Sequence, residues 1–302
     1  MSSNAMQRSE ICAVVVTYFP TAGCADNLAA LAPQVGKVLV VDNGSDTATL
    51  ESVEVAARRL GSTVVRLGSN LGVAAALNVG LELAREQGFR WLGTFDQDSQ
   101  CTPGMIEEMA QVLGSYPEPD RVAIISPSYV DRTLGFTVRQ GRSEAAGEGW
   151  QILRTTMTSG NLVNVEIATA VGGFDASLFI DYVDHEFCLR LRSHGYRVVQ
   201  ATRATLLHSL GAMERRRFLF RLVAPTHHSA VRRYYQSRNR YLLWRQYWRH
   251  EVKWVAQDIR RFVFEAMYMV LYEKQSRAKL SMVLRGLRDG FRNVRGAFDP
   301  GR

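Results

Sequence analysis

Cysteine is scarce in this chain: four residues in 302, Cys12, Cys24, Cys101 and Cys188, far apart and without a C-x-x-C pair. That scarcity excludes a disulfide scaffold and a zinc knuckle, and it fits a reducing cytosol. Long hydrophobic runs are missing as well. The longest, Ile11 to Phe19 and the stretch around Phe262 to Tyr272, fall short of the ~20 residues a membrane-spanning helix needs, and Glu265 interrupts the second. No secretory leader is expected, because the polar Met1 to Glu10 runs straight into a strand-like segment. Ser-Asn-Ala ahead of Met6 reads as a cloning remnant, and residues 1–10 as a disordered terminus or tag remnant. Internal repeats and low-complexity linkers are absent too. With 46% hydrophobic and 22% charged residues, the chain has material for one sizeable core or for one domain with an appendage.

The net charge of +8 is unevenly distributed. Up to Leu210 there are 16 Lys and Arg against 22 Asp and Glu, a net −6; beyond it there are 21 against 7, a net +14. A basic tail of that kind seeks anionic surface, either nucleic acid or lipid headgroups.

Short β-rich runs alternate with helical patterns through the first half: Cys12–Thr17, Val38–Val41, Thr63–Leu67 and Trp91–Phe95, separated by segments such as Leu50–Leu60 and Ala74–Gln87. This is the βαβ rhythm of an α/β domain with a mostly parallel sheet flanked by helices. Asp131 to Gly149 reads as a loop or edge hairpin, Thr158–Val165 and Arg197–Ala201 as further strands, and Val183–Ser193 as a helix between them. From Arg215 onward the spacing turns helical. The expected organisation is therefore an N-terminal domain over 11–211 and a basic helical region over 212–302.

Five segments carry candidate chemistry. Lys37-Val-Leu-Val-Val-Asp42-Asn43-Gly44-Ser45 reads as a buried strand ending in a polar turn, where doubly wound sheets bind ligands; Asp42 faces a ribose or base there, or it or Ser45 caps the next helix. Asn70-Leu-Gly72-Val-Ala74 gathers small residues at a helix start, which suits a nucleotide and equally suits tight helix-to-sheet packing. Thr94-Phe-Asp96-Gln-Asp98-Ser follows an apolar strand, and alternation sets both carboxylates on one face as a hard-cation site for Mg²⁺ or Mn²⁺, the alternative being a solvated acidic turn. Asp181, Asp184 and Glu186 open an amphipathic helix; a carboxylate facing a cleft is what a general base for a sugar hydroxyl requires, while dipole compensation explains acids there equally well. His208 ends the apolar run Ala204–Leu207; a lone histidine is more often structural, and it completes a carboxylate site only if the fold brings them together.

Taken in order, these segments resemble the inverting, GT-A-fold glycosyltransferases of family 2 over about Ile11 to Gly211. The resemblance rests on Val-Val-Thr17-Tyr18, Val-Asp42-Asn-Gly-Ser, Asn-Leu-Gly-Val-Ala, Asp96-Gln-Asp98-Ser, Gly-Gly-Phe-Asp175, Asp184-x-Glu186-x-x-x-Arg190 and His208. The Asp-Gln-Asp-Ser run, Asn-Leu-Gly-Val-Ala-x-Ala-Leu-Asn and Tyr234-Tyr235-x-x-Arg238-Asn239 look most like bacterial rhamnosyltransferases that use dTDP-L-rhamnose. What the resemblance implies is a GT-A Rossmann-like sheet with a helical extension, in which Thr17, Tyr18, Asp42, Asn43, Asn70, Gly72 and Ala74 hold the donor. Asp96 meets the ribose or the metal, Asp98 and His208 ligate Mg²⁺ or Mn²⁺, and Asp184 is the base. Glu186, Gly160 and Asn161 support acceptor or base. Two departures stand out: Val183 occupies a position where relatives often carry Glu, and Glu186 one where Asp is commoner. The Gln-x-x-Arg-Trp signature of processive synthases is absent, so one sugar or a few are expected per acceptor, a glycan or lipid-linked hydroxyl in cell-surface polysaccharide synthesis.

The tail interleaves arginine and aromatics, Arg215-Arg-Arg217-Phe-Leu-Phe-Arg221 and Tyr241-Leu-Leu-Trp-Arg-Gln-Tyr-Trp-Arg249. That composition suits peripheral docking on an anionic membrane from the cytoplasmic side, or a packed helical subdomain or oligomer interface. The acidic front half and paired carboxylates count against nucleic acid. The rival readings are the same fold with a UDP-sugar donor (galactofuranose, N-acetylglucosamine or glucose), and a catalytically idle nucleotide-binding scaffold at the membrane.

Overall fold

A computed structural model of the chain describes residues 6–132, 137–138, 143–208, 216–218, 221–223 and 228–301. It divides into two compact units: one of residues up to Ala176 with Val183–Ser209, the other of Ser177–Tyr182 with Leu210–Arg302. The segment Ser177–Tyr182, which in the linear sequence lies inside the first region, thus groups with the second.

The first unit is built on the strands the sequence marks. β1 (Ile11–Thr17) is buried at every position, as an apolar strand covered on both faces must be. β2 (Lys37–Asp42), β3 (Thr63–Arg66) and β4 (Trp91–Asp96) join it in parallel in the order β3-β2-β1-β4. Between them run α1 (Gly23–Leu31), α2 (Thr47–Arg59) and α3 (Val73–Glu86). Asp46 is the residue that caps α2, its carboxylate accepting from the Thr49 N–H at 2.8 Å. Alternation along β1 serves two layers: Ile11, Ala13 and Val15 join the core of α1 and α2, while Val14 lies under α3.

The sheet then continues in mixed sense. β5 (Gln100–Cys101), α4 (Met105–Ser115), β6 (Val122–Asp131), β7 (Thr137–Val138), β8 (Ala145–Gly147) and β9 (Trp150–Leu153) precede β10 (Asn161–Asn164), α5 (Val165–Ala170), α6 (Val183–Ser193) and β11 (Arg197–His208). Beyond β4 the strand order is β10-β6-β11-β9-β8, with β10 antiparallel to both neighbours and β11 parallel to β6. The two expected runs Arg197–Ala201 and Ala204–Leu207 are one strand, with an irregularity between Gln200 and Thr205 in its pairing to β6. Part of the expected loop 131–149 lies outside the described residues; the rest supplies β7 and β8.

The second unit is helical: α7 (Ala230–Tyr247), α8 (Val252–Tyr272) and α9 (Ser276–Phe291), with a short two-stranded pairing of Arg216–Phe218 and Arg221–Val223. Its interior mixes apolar side chains with buried ion pairs. Arg233 and Lys279 flank Glu273, and Arg240 and Trp244 meet Asp258, whose carboxylate also accepts from the Tyr182 hydroxyl. Gly286 lets α9 approach α7, since a Cβ there would strike the Tyr234 carbonyl and the Ser237 side chain. The tail stretch Tyr241–Arg249 is divided: Leu242, Leu243 and Tyr247 are buried, while Arg245, Gln246, Trp248 and Arg249 are exposed. The side chains of Arg215–Arg221 lie outside the described residues.

Candidate functional site

Register brings the first chemistry together. Thr17 is opposite Asp42 and Val16 is opposite Asp96, so β1, β2 and β4 end at one edge with Thr17, Asp42 and Asp96. That is the carboxyl edge at which open α/β sheets bind ligands.

Asp42 is buried and its carboxylate is occupied. It accepts from the Thr17 hydroxyl at 3.0 Å, the Ser45 hydroxyl at 2.6 Å, and the N–H groups of Ser45 and Gly44 at 2.9 and 3.2 Å. Asp42 therefore shapes the turn. Asn43, also buried, reaches the next loop: its Oδ1 accepts from the Leu71 N–H at 2.9 Å and its Nδ2 donates to Asn70 Oδ1 at 3.1 Å. Asn70 Oδ1 in turn accepts from the Gly72 N–H at 3.0 Å, at the point where Gly72 starts α3. Ala74 is buried in the first turn of that helix. The two turns touch at Gly44, whose φ is +95° and where a Cβ would lie 2.6 Å from the Ser69 carbonyl carbon. Around these turns stand Tyr18, Phe19 and Leu71, each about half exposed. Gln97 joins the halves of the edge, accepting from the Tyr18 N–H at 2.8 Å and donating to its carbonyl at 3.2 Å.

The second convergence involves residues more than a hundred positions apart. β5 pairs antiparallel with β11, Leu207 opposite Gln100, which brings His208 to Ser99. His208 Nδ1 lies 2.8 Å from the Ser99 hydroxyl and 3.7 Å from Asp98 Oδ1. One ligand atom each from Asp96, Asp98 and His208 fall within 4.8 Å of one another. Behind them runs a chain of hydroxyls: the Asp96 N–H donates to Ser159 Oγ at 3.0 Å, and the Ser159 hydroxyl donates to Ser99 Oγ at 2.7 Å. Ser99 and Ser159 are both buried, and the sequence offered little to single them out beyond Ser99 following Asp98.

Asp184 sits half-buried in the first turn of α6, with Oδ1 2.8 Å from the His185 N–H. Burial pushes the Tyr129 phenol far above its ordinary range, and the negative charges of Asp96 and Asp184 both add to that. Glu186, two residues on and so on the opposite side of α6, is directed inward. It is 2% exposed and forms a two-pronged ion pair with Arg190, Nε to Oε1 at 2.9 Å and Nη2 to Oε2 at 2.8 Å. Arg190 in turn donates to the carbonyls of Val171 and Gly173. Glu186 thereby fastens the Gly172-Gly173-Phe174 turn, which Asn78 grips from the other side through both Phe174 backbone groups. Gly160 and Asn161 are also interior: Gly160 lies against Leu206 and Pro127, and Asn161 Nδ2 donates to the Met157 carbonyl at 2.7 Å. The four cysteines are free and buried, and burial pushes the Cys24 thiol up to about 11 and those of Cys12, Cys101 and Cys188 up to about 12, which leaves them unreactive.

Residues 14–174 match the family described as glycosyl transferase family 2. The chain is 30% identical over 314 aligned residues to the dTDP-rhamnosyl transferase RfbF of Shigella flexneri, with 97% of this chain and 98% of the relative covered. Among solved structures it is similar to the mannosyltransferase PcManGT from Pyrobaculum calidifontis in complex with GDP-Man and Mn²⁺, with a TM-score of 0.56 at 13% identity over 97% of this chain and 90% of that one. S. aureus TarS 1-349 in complex with UDP-GlcNAc gives 0.59 at 15% identity, over 94% and 81%. At these identities the structural likeness is one of fold.

Proposed function

The chain belongs to glycosyl transferase family 2, a glycosyltransferase with the GT-A fold, and on that footing we propose inverting transfer of L-rhamnose from dTDP-L-rhamnose to a hydroxyl of a glycan or lipid-linked acceptor in cell-surface polysaccharide synthesis. One observation carries the chemistry: Asp96, Asp98 and His208 converge at the sheet edge beside the two turns that Asp42, Asn43 and Asn70 hold in place. The donor sugar is supported by the full-length likeness to a dTDP-rhamnosyl transferase.

The trio fits a divalent cation. Ligands bound at about 2.1 Å sit at most about 4.2 Å apart, so a 4.8 Å spread closes with small side-chain shifts, and two carboxylates with one imidazole are an acceptable set for Mg²⁺ or Mn²⁺. When bound, the cation supplies charge compensation for the departing diphosphate. The chain's own groups do the rest. Thr17 and Asp42 fix the first turn, Tyr18 and Leu71 offer apolar surface to the thymine and deoxyribose, and the Asn70–Gly72 turn presents backbone N–H groups at the start of α3. Ser99 fixes the orientation of the His208 ring. Asp184 takes the proton from the acceptor hydroxyl as its oxygen bonds to the anomeric carbon; the bond from that carbon to the diphosphate oxygen breaks, and dTDP leaves. One displacement inverts the centre, and a placed base contributes about 10²–10⁴-fold.

Donor turnover across dTDP- and UDP-sugars, with and without Mn²⁺ or Mg²⁺, tests this in wild type and Asp98→Ala. Preference for dTDP-rhamnose, lost in the variant, is expected. Preference for a UDP-sugar would overturn the donor, and metal-independent turnover would overturn the role given to the trio.

A further inference from the structure

Fourteen large apolar residues are exposed among the described ones, and eleven of them fall in the helical unit. They are not scattered. Val252, Ile259, Val263 and Val270, spaced by seven, four and seven, make one line along α8; Phe264 and Leu271 lie on a neighbouring line with Lys253 and Arg260. On α9, Leu280, Leu284 and Phe291 form a comparable row, flanked by Arg277 and Arg288. Isolated exposed aliphatics need no explanation, but aligned rows of this size mark a surface that meets something.

The charges identify the partner. Lys253, Arg260, Arg261, Lys274, Arg277 and Arg288 are exposed between residues 252 and 291, and no acidic residue in that span is. Asp258, Glu265, Glu273 and Asp289 are each engaged by Arg or Lys of the same unit. The surface is therefore apolar and cationic, with its acids paired. A second copy of the same face, related by a two-fold, would set cations against cations. Nucleic acid would satisfy the cations and leave the aliphatic rows in water. An anionic bilayer satisfies both: the rows enter the acyl boundary while Lys and Arg reach back to the headgroups.

We propose that the exposed face of α8 and α9 docks the enzyme on anionic lipid. Of the arginine-aromatic stretch Tyr241–Arg249, Leu242, Leu243 and Tyr247 are buried and Arg245, Trp248 and Arg249 are exposed, so its apolar side chains contribute less to an exposed face than the rows of α8 and α9 do. The inference stands whichever donor the enzyme uses. Co-sedimentation of the full chain with vesicles of phosphatidylcholine containing phosphatidylglycerol tests it, beside pure phosphatidylcholine and an unstructured oligonucleotide. Binding to the anionic vesicles alone, weakened by salt, is expected. A cation near such a surface contributes about fivefold in affinity, so Lys253→Gln/Arg260→Gln should weaken binding by at least fivefold at low salt. Val263→Asp/Leu284→Asp should weaken it more than tenfold while melting temperature and donor hydrolysis hold. Failure to bind anionic vesicles at low salt would overturn the proposal, as would binding that the aspartate variant leaves unchanged. Reversible self-association that the same variant abolishes, without vesicle binding, would reassign the face to a second copy.

Discussion

Asn239 offers a demanding test of how the second unit is built. Its side chain is fully buried, and its single amide nitrogen lies 3.0, 2.8 and 2.9 Å from the carbonyls of Leu178, Ile180 and Asp181. Its Oδ1 accepts from Arg238 Nε at 2.9 Å, while Arg238 Nη2 also holds the Leu178 carbonyl at 2.9 Å. The clamped stretch needs holding: Phe179, Asp181 and Tyr182 have φ of +68°, +59° and +66°, a conformation that costs a non-glycine residue on the order of 1–3 kcal/mol. An amide has two hydrogens, so two of the three carbonyls count as fully bonded. At about 1–3 kcal/mol for each buried group left without a partner, and with some water admitted, Asn239→Ala should cost about 3 kcal/mol. At about 2 °C per kcal/mol for a chain of this length, the melting temperature should fall by about 6 °C. Asp184 follows Tyr182 by two residues, so a relaxed segment should also lower kcat about tenfold with donor KM changed less than twofold. Thermal melts by circular dichroism and steady-state transfer kinetics read the two effects. A melting temperature within 1 °C of wild type would refute the clamp, and an unchanged kcat in a destabilised variant would refute its link to Asp184, the proposed base.

Three further outcomes are expected. Glu186→Ala should destabilise by about 1.5–3 kcal/mol in a denaturant titration, because Arg190 would lose its carboxylate partner and keep only the Val171 and Gly173 carbonyls; loss of transfer in a variant of full stability would instead mean that Glu186 acts at the acceptor. Gly44→Ala forces a side chain into positive φ and against Ser69, so dTDP affinity by calorimetry should drop at least tenfold, about 1.4 kcal/mol. His228 gives a pH signature. Burial, with Arg232 and Arg233 alongside, lowers its pKa to about 4 from the ordinary 6.5, so the unfolded chain binds its proton first; the contribution is fully present above pH 6.5 and is lost as pH falls toward 4. Discounted for partial exposure, the effect is about 1–2 kcal/mol, and His228→Gln should flatten the stability curve between pH 6.5 and 4 relative to wild type.

Much of the first unit was written in local pattern. Val-Val-Val in β1 and Val-Leu-Val-Val in β2 read as strands buried on two faces, and their polar ends mark the edge where Thr17 and Asp42 stand. Asp96 and Asp98 are two residues apart, so their pairing is legible in one short stretch. Other assignments turn on distances that sequence does not encode. Glu186 and Arg190 are one helical turn apart on a chemically suggestive motif, yet only packing shows that Glu186 is buried and that the pair is spent on the Gly172-Gly173 turn. The arginine-aromatic stretch Tyr241–Arg249 has the composition of a membrane face, and only packing shows that Leu242, Leu243 and Tyr247 are buried while Arg245, Trp248 and Arg249 are exposed. The placement of His208 is the clearest case: its own neighbours say only that it ends a strand, and the β5–β11 pairing, closing a loop of more than a hundred residues, sets it against Ser99 and Asp98. Periodicity and short motifs determined the elements and their edge, because those depend on neighbours in the chain; which edge residues meet was decided by strand pairing, because a ligand set is a property of distance in space.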